Sequence, residues 1–409
     1  MSGSHVFHHD FNSDINRAGT ASLKYDGRQS MFGTTEVIPL WVADMDFAGP
    51  PAVTRALAER AAHPVYGYTV YPDSLYEALI DWLRRRHGWD VQREWIVMCP
   101  GVVPSLHAAV MAFAEPGESV IVQPPVYFPF FSAVTSTSRQ LIYNSLCLQN
   151  NRYGIDFDHL EQCAEGARLL LLCSPHNPVG RVWSRQELEN ILRIAKKHDL
   201  VIFSDEIHAD LVYPGNTHHA LSMLAEMTAE YSPHIVTAVT PSKTFNIPGL
   251  NLSTLIVPDP DCRRAFIRAL DTMHVSASNP FSIVAFEAAY REGESWLDEL
   301  LIYLRQTRDH VAEYLVTHLP EIRLIEPEGT YLLWLDCRVL AARLEINDAQ
   351  LRHFFVHEAG VGMSPGTLFG EAGSGFMRMN IGAPRHVIQA VLENIRNAEY
   401  RVREGMTSA

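Results

Sequence analysis

Short apolar runs alternate with helix-like patterns between about residues 50 and 290 of the chain. Each run has the length of a short strand, and several are apolar at consecutive positions rather than at every second one. Strands that are covered on both faces show this continuous pattern. The runs comprise residues 119–122, 140–143, 169–173, 201–204 and 235–239. They predict the buried strands of one sheet.

A helix is predicted between two of these runs. Ser184 and Glu187 have the spacing of a capping box, in which each side chain accepts the other residue's backbone N–H. Apolar residues then recur at helical spacing, at positions 188, 191, 192 and 195. Because strand, helix and strand alternate in this way, the sequence predicts an α/β fold with a mostly parallel sheet and helices on both faces.

The pattern changes near residue 290. A helix over 296–318, a strand over 330–335 and a helix over 348–358 predict a second, smaller α/β unit. Residues 1–48 mix Gly, Ser, Asp and Asn with isolated aromatic residues. We therefore expect an N-terminal arm or part of the small domain at 1–48, a large domain at 49–289 and a small C-terminal domain at 290–409.

Composition narrows the classes of partner. The chain has 33 Lys and Arg residues against 47 Asp and Glu residues, a net charge of −14, so we expect no nucleic-acid partner. No apolar run approaches the ~18 residues of a membrane span, and no secretory signal is visible, so no membrane contact is expected.

The six cysteines form no C-x-x-C pair, which predicts buried, reduced thiols in a cytoplasmic protein. His5, His8 and His9 are expected on a solvated arm, and no metal site is expected.

Polar motifs directly follow two of the predicted strands, where open α/β sheets bind ligands. In residues 174–180, two prolines predict a rigid turn with a cis X-Pro bond that holds the amide of Asn177 over the sheet; a plain tight turn is the alternative. In residues 204–208, either one of the acids Asp205 and Glu206 faces a cationic ligand group, or both serve in salt bridges and helix capping.

Two cationic side chains are further candidates. Lys243 follows the run 235–239 and is flanked by hydroxyl residues. A half-enclosed position would favour the neutral amine that Schiff-base chemistry needs, whereas an ordinary surface lysine is the alternative. Arg378 lies in a segment that we expect to be buried, where its fork would bind a carboxylate of the protein or of a substrate.

Gly101 precedes a predicted amphipathic helix. A glycine at a strand-to-helix turn exposes backbone N–H groups, and with the helix dipole they form a candidate phosphate cradle. The expected buried face of this helix consists of Val103, Leu106, Val110 and Phe113.

The motifs, in this order and spacing, resemble those of the fold-type I pyridoxal-phosphate (PLP) enzymes of the class I/II aminotransferase superfamily. Residues 41–47, 66–68, 101–103 and 205–208 resemble, more narrowly, the cystathionine β-lyase branch of the MalY/PatB type. The resemblance runs from about residue 26 to residue 385. It implies a large domain with a seven-stranded-type sheet, a small C-terminal domain, PLP as cofactor and a homodimer with shared active sites.

The resemblance also implies roles for individual residues. Lys243 matches the Schiff-base lysine, which would later move the substrate's Cα proton, and Asp205 matches the acid at the pyridine nitrogen. The other residues matched to cofactor contacts are Asn177 at the phenolic oxygen, Tyr127 on the ring face, Val102, Val103, Thr240 and Ser242 at the phosphate, Tyr68 from the partner subunit, and His208, whose role stays open. The residues matched to substrate contacts are Arg378, on the α-carboxylate, with Ala43 and Asn177.

The resemblance leaves the reaction type open between two outcomes. A carbon–sulfur β-lyase would release pyruvate, ammonia and a thiol from cystathionine or another S-substituted amino acid. An aminotransferase would instead need an oxo acid as second substrate. The subfamily motifs favour the lyase, and the aminotransferase is the alternative. A non-catalytic PLP-binding sensor is a hypothesis from another class, and the absence of a basic helix-turn-helix segment speaks against it.

Overall fold

A computed structural model describes residues 7–228, 234–274 and 279–405. The chain divides into two compact units. The larger unit comprises Gly49–Asn177 and Arg181–Glu294, and the smaller unit comprises Met1–Ala48, Pro178–Gly180 and Ser295–Ala409. The sequence placed the last boundary after residue 289, which lies inside the helix Pro280–Glu292. The chain enters the smaller unit only after that helix has ended.

A seven-stranded sheet of described residues forms the centre of the larger unit. Its strands lie in the order Ile96–Cys99, Ser253–Ile256, Ile235–Val239, Val201–Asp205, Ala167–Cys173, Ser119–Val122 and Gln140–Tyr143. Ser253–Ile256 is antiparallel to both of its neighbours, and the other neighbouring pairs are parallel. The predicted α/β fold with a mostly parallel sheet is confirmed, and every predicted strand of this sheet is present. Gln140–Tyr143 is not buried as predicted, however, because it lies at the edge of the sheet, and its residues are half-buried or exposed.

Helices flank this sheet, as the alternating pattern predicted. They are Pro51–Ala62, Asp73–His87, Val102–Phe113, Pro129–Thr135, Phe157–Ala164, Arg185–His198, Leu221–Met227, Pro241–Thr244, Pro260–Thr272 and Pro280–Glu292. Shorter elements are the 3-10 helices Arg93–Trp95 and Pro248–Leu250 and the paired strands Cys147–Gln149 and Arg152–Gly154. The predicted capping box is confirmed: Ser184 Oγ accepts the N–H of Glu187 at 3.3 Å, and the Glu187 carboxylate accepts the N–H of Ser184 at 2.8 Å.

The predicted buried face of the helix Val102–Phe113 needs one correction. Leu106 and Val110 are buried as expected, whereas Val103 is 38% exposed. Val103 occupies the first turn of the helix, where the chain has just left the sheet, and its side chain lines a cavity instead of the core.

The smaller unit is built on a four-stranded antiparallel sheet of described residues, in the order Arg323–Leu324, Leu332–Asp336, Phe376–Asn380 and Ser364–Pro365. Its helices are Leu23–Asp26, Arg28–Phe32, Glu294–His318, Arg338–Leu344, Asp348–His353 and Arg385–Arg403, with 3-10 turns at Gly366–Phe369 and Glu371–Gly373. Ile38–Pro39 pairs in parallel with Val361–Gly362. The helix predicted over 348–358 is present, but it continues beyond His353 as the π-helical turn Phe354–Glu358.

Residues 7–11 form only in part the solvated arm that the sequence predicted, since the His8 side chain is 83% exposed as expected whereas its neighbours are attached to the fold. Phe11 is 2% exposed and packs edge-on against Phe47 and Trp296, with ring centroids 5.2 and 5.7 Å away. The backbone N–H groups of His8 and His9 both donate to the Glu299 carboxylate at 2.9 Å. Aromatic burial and two hydrogen bonds to one buried acid therefore fix this segment to the helix Glu294–His318. His5 lies outside the described residues.

The cysteines follow the prediction with one exception. All six are free thiols, and all are buried except Cys147, which lies exposed on the short strand Cys147–Gln149. Among the described residues, no helix combines the length and the apolar character that crossing a membrane requires.

Candidate active site

A cavity of about 380 Å³ opens in the larger unit where the parallel strands end. Segments that directly follow four different strands supply most of its wall, as expected for an open α/β sheet. The lining residues include Gly101, Val102, Val103, Tyr127, Asp205, Thr240, Ser242, Lys243 and Ser253. Most of the residues that the sequence singled out in this unit thus meet in one cavity.

Lys243 lies in a short, tightly bonded helical turn. Thr240 caps the helix Pro241–Thr244, since its Oγ1 accepts the N–H of Ser242 at 3.2 Å. The Thr240 hydroxyl also donates to the carbonyl of Leu252 at 2.9 Å and lies 2.8 Å from Ser242 Oγ. The Lys243 side chain is half-buried and lines the cavity, so the expected half-enclosed position is confirmed and the surface-lysine alternative is excluded.

Asp205 and Glu206 are adjacent in sequence but occupy different environments. The Glu206 carboxylate accepts hydrogen bonds from Ser204 Oγ at 2.7 Å and from the backbone N–H of Leu221 at 3.0 Å, and it lies 2.8 Å from His218 Nε2. Asp205 lines the cavity and, within the described chain, its carboxylate accepts one hydrogen bond, the Ile207 N–H at 3.4 Å. Glu206 is therefore held by protein partners, whereas Asp205 faces the cavity.

Burial dominates the electrostatics of Asp205. It raises the pKa of this carboxyl to about 7, although the Ile207 N–H and the positive charge of Lys243 act in the opposite direction. A buried carboxyl with so little hydrogen bonding favours a cationic partner, because such a partner would offset the cost of desolvating its charge. The cavity therefore combines an amine and an acid in the pattern that a functional site shows.

Asn177 is buried, and within the described chain it does not itself line the cavity. Its carbonyl accepts the N–H of Tyr127 at 3.2 Å, and its own N–H donates to Cys173 Sγ at 3.4 Å. The preceding Ser174–Pro175 bond is cis, as predicted for one of the two X-Pro bonds here. These bonds tie Asn177 to Tyr127, whose side chain lines the cavity.

The N-terminal turn of the helix Val102–Phe113 forms another part of the wall. Gly101 has φ +122°, a conformation that residues with a side chain rarely adopt. A Cβ at this position would lie 3.7 Å from Pro104, an ordinary contact, so the backbone conformation rather than lack of space requires glycine. The first N–H groups of this helix and the Ser242 hydroxyl form a set of donors suited to an anion.

His208 and Tyr68, also matched to cofactor contacts, lie apart from this wall. His208 is buried at 2% exposure, and its carbonyl accepts the N–H of Leu211 at 2.9 Å; within the described chain it does not line the cavity. Tyr68 lies in the irregular segment before the helix Asp73–His87, and its side chain is fully exposed.

In the smaller unit, Arg378 is buried at the centre of the strand Phe376–Asn380, as expected. Its Nη2 donates to the carbonyl of Trp41 at 2.6 Å and to Ser364 Oγ at 3.4 Å, and its guanidinium lies 4.9 Å from the ring centre of Phe369. The next polar residue of the strand, Asn380, donates to the carbonyls of Val42 and Asp44 at 2.6 Å each. This strand thus holds residues 41–44 in place.

Ala43 lies in that same segment. The Tyr331 hydroxyl donates to the Ala43 carbonyl at 3.0 Å. Hydrogen bonds from Tyr331 and from Asn380 therefore fix the backbone of residues 42–44.

The family model described as "Aminotransferase class I and II" matches residues 35–395. The chain belongs to this family. Within the aminotransferase class I and II family it is 40% identical to cystathionine β-lyase PatB of Bacillus subtilis (strain 168), across 95% of this chain and 99% of that protein. It is 32% identical to protein MalY of Escherichia coli (strain K12), across 96% and 100%. The resemblance stated from the motifs is confirmed.

Solved structures of the aminotransferase class I and II fold agree with this grouping. Cystalysin from Treponema denticola, which contains pyridoxal 5′-phosphate, superposes with a TM-score of 0.90 at 37% identity, covering 96% of this chain and 99% of that one. The PLP-bound C–S lyase from Staphylococcus hominis gives a TM-score of 0.88 at 32% identity, with the same two coverages.

Sequence reasoning missed a buried charge cluster in the smaller unit. Lys24 is fully buried, and its Nζ lies 2.7 Å from Asp46 Oδ2. Arg17 lies 2.6 Å from a carboxylate oxygen of both Asp44 and Asp46. Asp44 and Asp46 belong to the motif 41–47, whereas their cationic partners lie earlier in the predicted N-terminal arm, in a part that carries no motif. Only the folded chain brings them together.

One group of possible metal ligands was also not visible in the sequence spacing. The ligand atoms of His234, Asp259 and Cys262 lie within 4.8 Å of one another. Asp259 already caps a helix by accepting the N–H groups of Asp261 and Cys262. Burial and nearby acids raise the pKa of the Cys262 thiol to about 12, which disfavours the thiolate that binds metals. We therefore assign no metal ion to this group.

Proposed function

We propose that this chain is a PLP-dependent carbon–sulfur β-lyase that converts cystathionine or another S-substituted cysteine to pyruvate, ammonia and a thiol. One observation carries the cofactor assignment: Lys243 and the buried acid Asp205 line the same cavity, beside a helix N-terminus that can bind an anion. The choice of reaction rests on the similarity to PatB, MalY and the C–S lyases.

The residues of the cavity fit PLP chemically. The cofactor's phosphate would be held by the N–H groups of Val102 and Val103 together with the hydroxyls of Thr240 and Ser242. The cofactor's protonated ring nitrogen would supply the cation that Asp205 favours. The remaining residues proposed to contact the cofactor are Tyr127 on the ring face, Asn177 at the phenolic oxygen, and His208.

When bound, PLP supplies an electron sink that makes the substrate's Cα proton acidic. The chain's own residues bind and move protons around it. Lys243 Nζ would join the cofactor covalently at rest and, once displaced by substrate, accept the Cα proton. The Asp205 carboxylate would keep the ring nitrogen protonated throughout. Both residues serve a lyase and an aminotransferase equally, so these two side chains do not decide between the reactions.

The reaction type is tested by leaving out the second substrate of a transaminase. Purified enzyme with PLP and cystathionine, without any oxo acid, should release pyruvate at a steady rate over many turnovers. Pyruvate is measured with a coupled dehydrogenase, and the thiol product with a thiol reagent. Amino transfer that depends on an added oxo acid, without pyruvate from cystathionine, would instead establish the alternative aminotransferase.

We propose further that Arg378 binds the substrate's α-carboxylate, with Ala43 and Asn177 also in contact with substrate. Support comes from the buried position of Arg378, because a desolvated guanidinium binds a carboxylate strongly through its two parallel donors. Arg378→Ala should raise KM for the amino acid at least about tenfold to 10²-fold, the effect of losing one charge-assisted hydrogen bond of about 1.5–3 kcal/mol.

The readout for Arg378 has two parts. The steady-state KM should rise, whereas the Kd for PLP, measured by fluorescence titration without substrate, should change less than about threefold. Arg378→Lys keeps the charge but not the planar fork, and it should recover only part of the loss. An unchanged KM in a correctly folded Arg378→Ala variant would remove the residue from the substrate site.

We propose that the enzyme is a homodimer in which Tyr68 reaches the cofactor phosphate of the partner subunit. The support is the surface around this tyrosine, where Val65, Tyr66, Tyr68 and Val70 are all exposed although they are large and apolar. Tyr68→Phe should weaken PLP binding about tenfold to 10²-fold, since one hydrogen bond to a charged group contributes about 1.5–3 kcal/mol. Sedimentation velocity gives the oligomeric state, and a monomer with full activity would contradict the shared site.

A cytoplasmic location is also proposed. Support comes from the six free thiols, since cysteines remain reduced in the cytoplasm and pair in oxidising compartments. Cell fractionation tests it, and protein found mainly in a secreted fraction would contradict it.

A further inference from the structure

A second group of polar side chains is buried behind the turn that carries Lys243. At its centre is Asp210, which is 9% exposed. The Thr244 hydroxyl donates to Asp210 Oδ2 at 2.8 Å, and the indole N–H of Trp82 donates to Oδ1 at 3.2 Å. His87 Nε2 lies 2.8 Å from the same Oδ1. Both oxygens of this buried carboxylate thus have hydrogen-bond partners, and one of these partners belongs to the turn that carries Lys243.

The charge of Asp210 is stable in this environment. Burial alone would raise its pKa, but the hydrogen bond and charge of His87 and the hydrogen bond from Thr244 outweigh burial, so the pKa lies below the ordinary value. Asp210 is therefore an anion at neutral pH. A hydrogen bond from a neutral hydroxyl to an ionised carboxylate is stronger than one between two neutral groups.

Thr244 is the residue after Lys243 and the last residue of the helix Pro241–Thr244. This helix is only four residues long, so its own hydrogen bonds restrain it weakly. The opposite end is fixed by the Thr240 cap described above. The bond from Thr244 to Asp210 fixes the end that bears Lys243, and no other side-chain bond of Thr244 is found in the described chain.

The next residue strengthens this anchor. Phe245 is fully buried and packs against Trp82 and Tyr290, with ring centroids 5.5 and 6.0 Å apart. Trp82 also donates to Asp210, so the aromatic packing and the hydrogen bonds involve one connected set of side chains. Such a set can hold a neighbouring reactive group within the small tolerance that catalysis requires.

We propose that Asp210, acting through the Thr244 hydroxyl, is a positioning residue that holds the Lys243 amine in its reactive place. The inference rests on the proposed function, because it concerns the lysine that joins PLP. Neither Asp210 nor Thr244 lines the cavity within the described chain. Their effect on the reaction is therefore indirect, through the backbone that they share with Lys243.

The test removes the hydroxyl without changing the shape of the side chain. Thr244→Val deletes the donor, Thr244→Ser keeps it, and Thr244→Ala covers the case in which valine does not fold. The matched control is Thr237→Val, since Thr237 is also fully buried in the same unit and its hydroxyl lies 2.7 Å from Ser222 Oγ. This control variant also loses the hydroxyl of a fully buried threonine. That threonine is not adjacent to Lys243 in the chain, and its hydroxyl contacts Ser222 instead of Asp210.

Two readouts distinguish positioning from simple stability. The first needs no substrate: the rate at which added PLP joins Lys243 is followed by its visible absorbance and by trapping with borohydride. This rate and kcat should each fall about tenfold to 10²-fold in Thr244→Val, because small displacements of a reacting group have effects of this size. KM should change less than about threefold. Thr244→Ser should recover most of the loss, and Thr237→Val should behave as wild type in both readouts.

Two results would overturn the inference. One is that Thr244→Val and Thr244→Ala both match wild type in attachment rate and kcat. The other is that Thr244→Ser is as impaired as Thr244→Val, which would assign the effect to packing. Failure of the proposed function gives a different pattern, since wild-type protein itself would then not join PLP at Lys243.

Discussion

Lys243→Ala is expected to lose all measurable lyase activity. Two separate contributions disappear with the amine, namely the covalent attachment of the cofactor and the acceptor of the substrate's Cα proton. One positioned acid–base group alone contributes about 10²–10⁴-fold to a rate, so the combined fall in kcat should reach about 10⁴-fold or more. The alanine variant should fold normally, because Lys243 is half-buried and is not part of the core.

The Lys243 prediction is measured by activity and by mass. Borohydride treatment of wild-type protein with PLP should add one cofactor to the peptide that contains Lys243, and the variant should gain none. Lys197→Ala is the control, since Lys197 is an exposed lysine of the same unit, bonded to Glu161. A variant that kept activity, or a wild-type protein labelled at another lysine, would remove Lys243 from the chemistry and with it the proposed function.

Asp205→Asn is expected to change activity and stability in opposite directions. The neutral amide cannot keep the cofactor's ring nitrogen protonated, so kcat should fall about 10²–10³-fold, the effect of removing one preorganised electrostatic contact. PLP binding should weaken as well. The protein without cofactor should nevertheless become more stable, because the variant removes a carboxyl that burial destabilises when it is ionised.

The pH dependence follows from the raised pKa of Asp205. In the unfolded chain this carboxyl loses its proton near pH 4, whereas in the folded protein it does so only near pH 7. Folding therefore takes up a proton between these values, and the stability of the cofactor-free protein falls as the pH rises through this window. The loss of folding stability that results from ionising the buried Asp205 carboxyl reaches its full size above pH 7, and it amounts to at most about 4 kcal/mol.

Thermal unfolding of the cofactor-free proteins at two pH values provides the measurement. Asp205→Asn should unfold at a higher temperature than wild type at pH 8 and at about the same temperature at pH 4. Glu206→Gln is the informative comparison, because the Glu206 carboxylate is already held by Ser204, His218 and Leu221, and its loss should destabilise the fold. A lower stability of Asp205→Asn at pH 8 would show that Asp205 is a structural acid.

Local sequence signals were sufficient for most of the fold. The strand runs 119–122, 140–143 and 235–239 have the same bounds in the structure. The helix after Ser184 begins with the capping box that its residues predicted. These elements were predictable because everything that determines them lies within a few positions in the sequence. The determinants are the spacing of the apolar residues, the side chains that cap a helix and the residues that end an element.

Contacts between distant parts of the chain were not predictable in the same way. Phe11 looked like an isolated aromatic residue in a polar arm, but it belongs to the core because Phe47 and Trp296 pack against it. Lys24 is fully buried because two acids of the motif 41–47 offset its charge. No pattern within either segment encodes the presence of the other.

The sequence by itself singled out the residues that we propose to carry the chemistry, since Lys243, Asp205, Asn177 and Arg378 all lie in short motifs in a fixed order. Only the tertiary structure decided which partners each acid of the pair Asp205 and Glu206 meets. The two carboxyls are chemically alike and adjacent, so composition and spacing cannot separate them. At the end of a strand, neighbouring side chains point in opposite directions. One acid therefore meets the hydroxyl, imidazole and N–H partners that fully satisfy it, and the other is left facing the cavity beside Lys243.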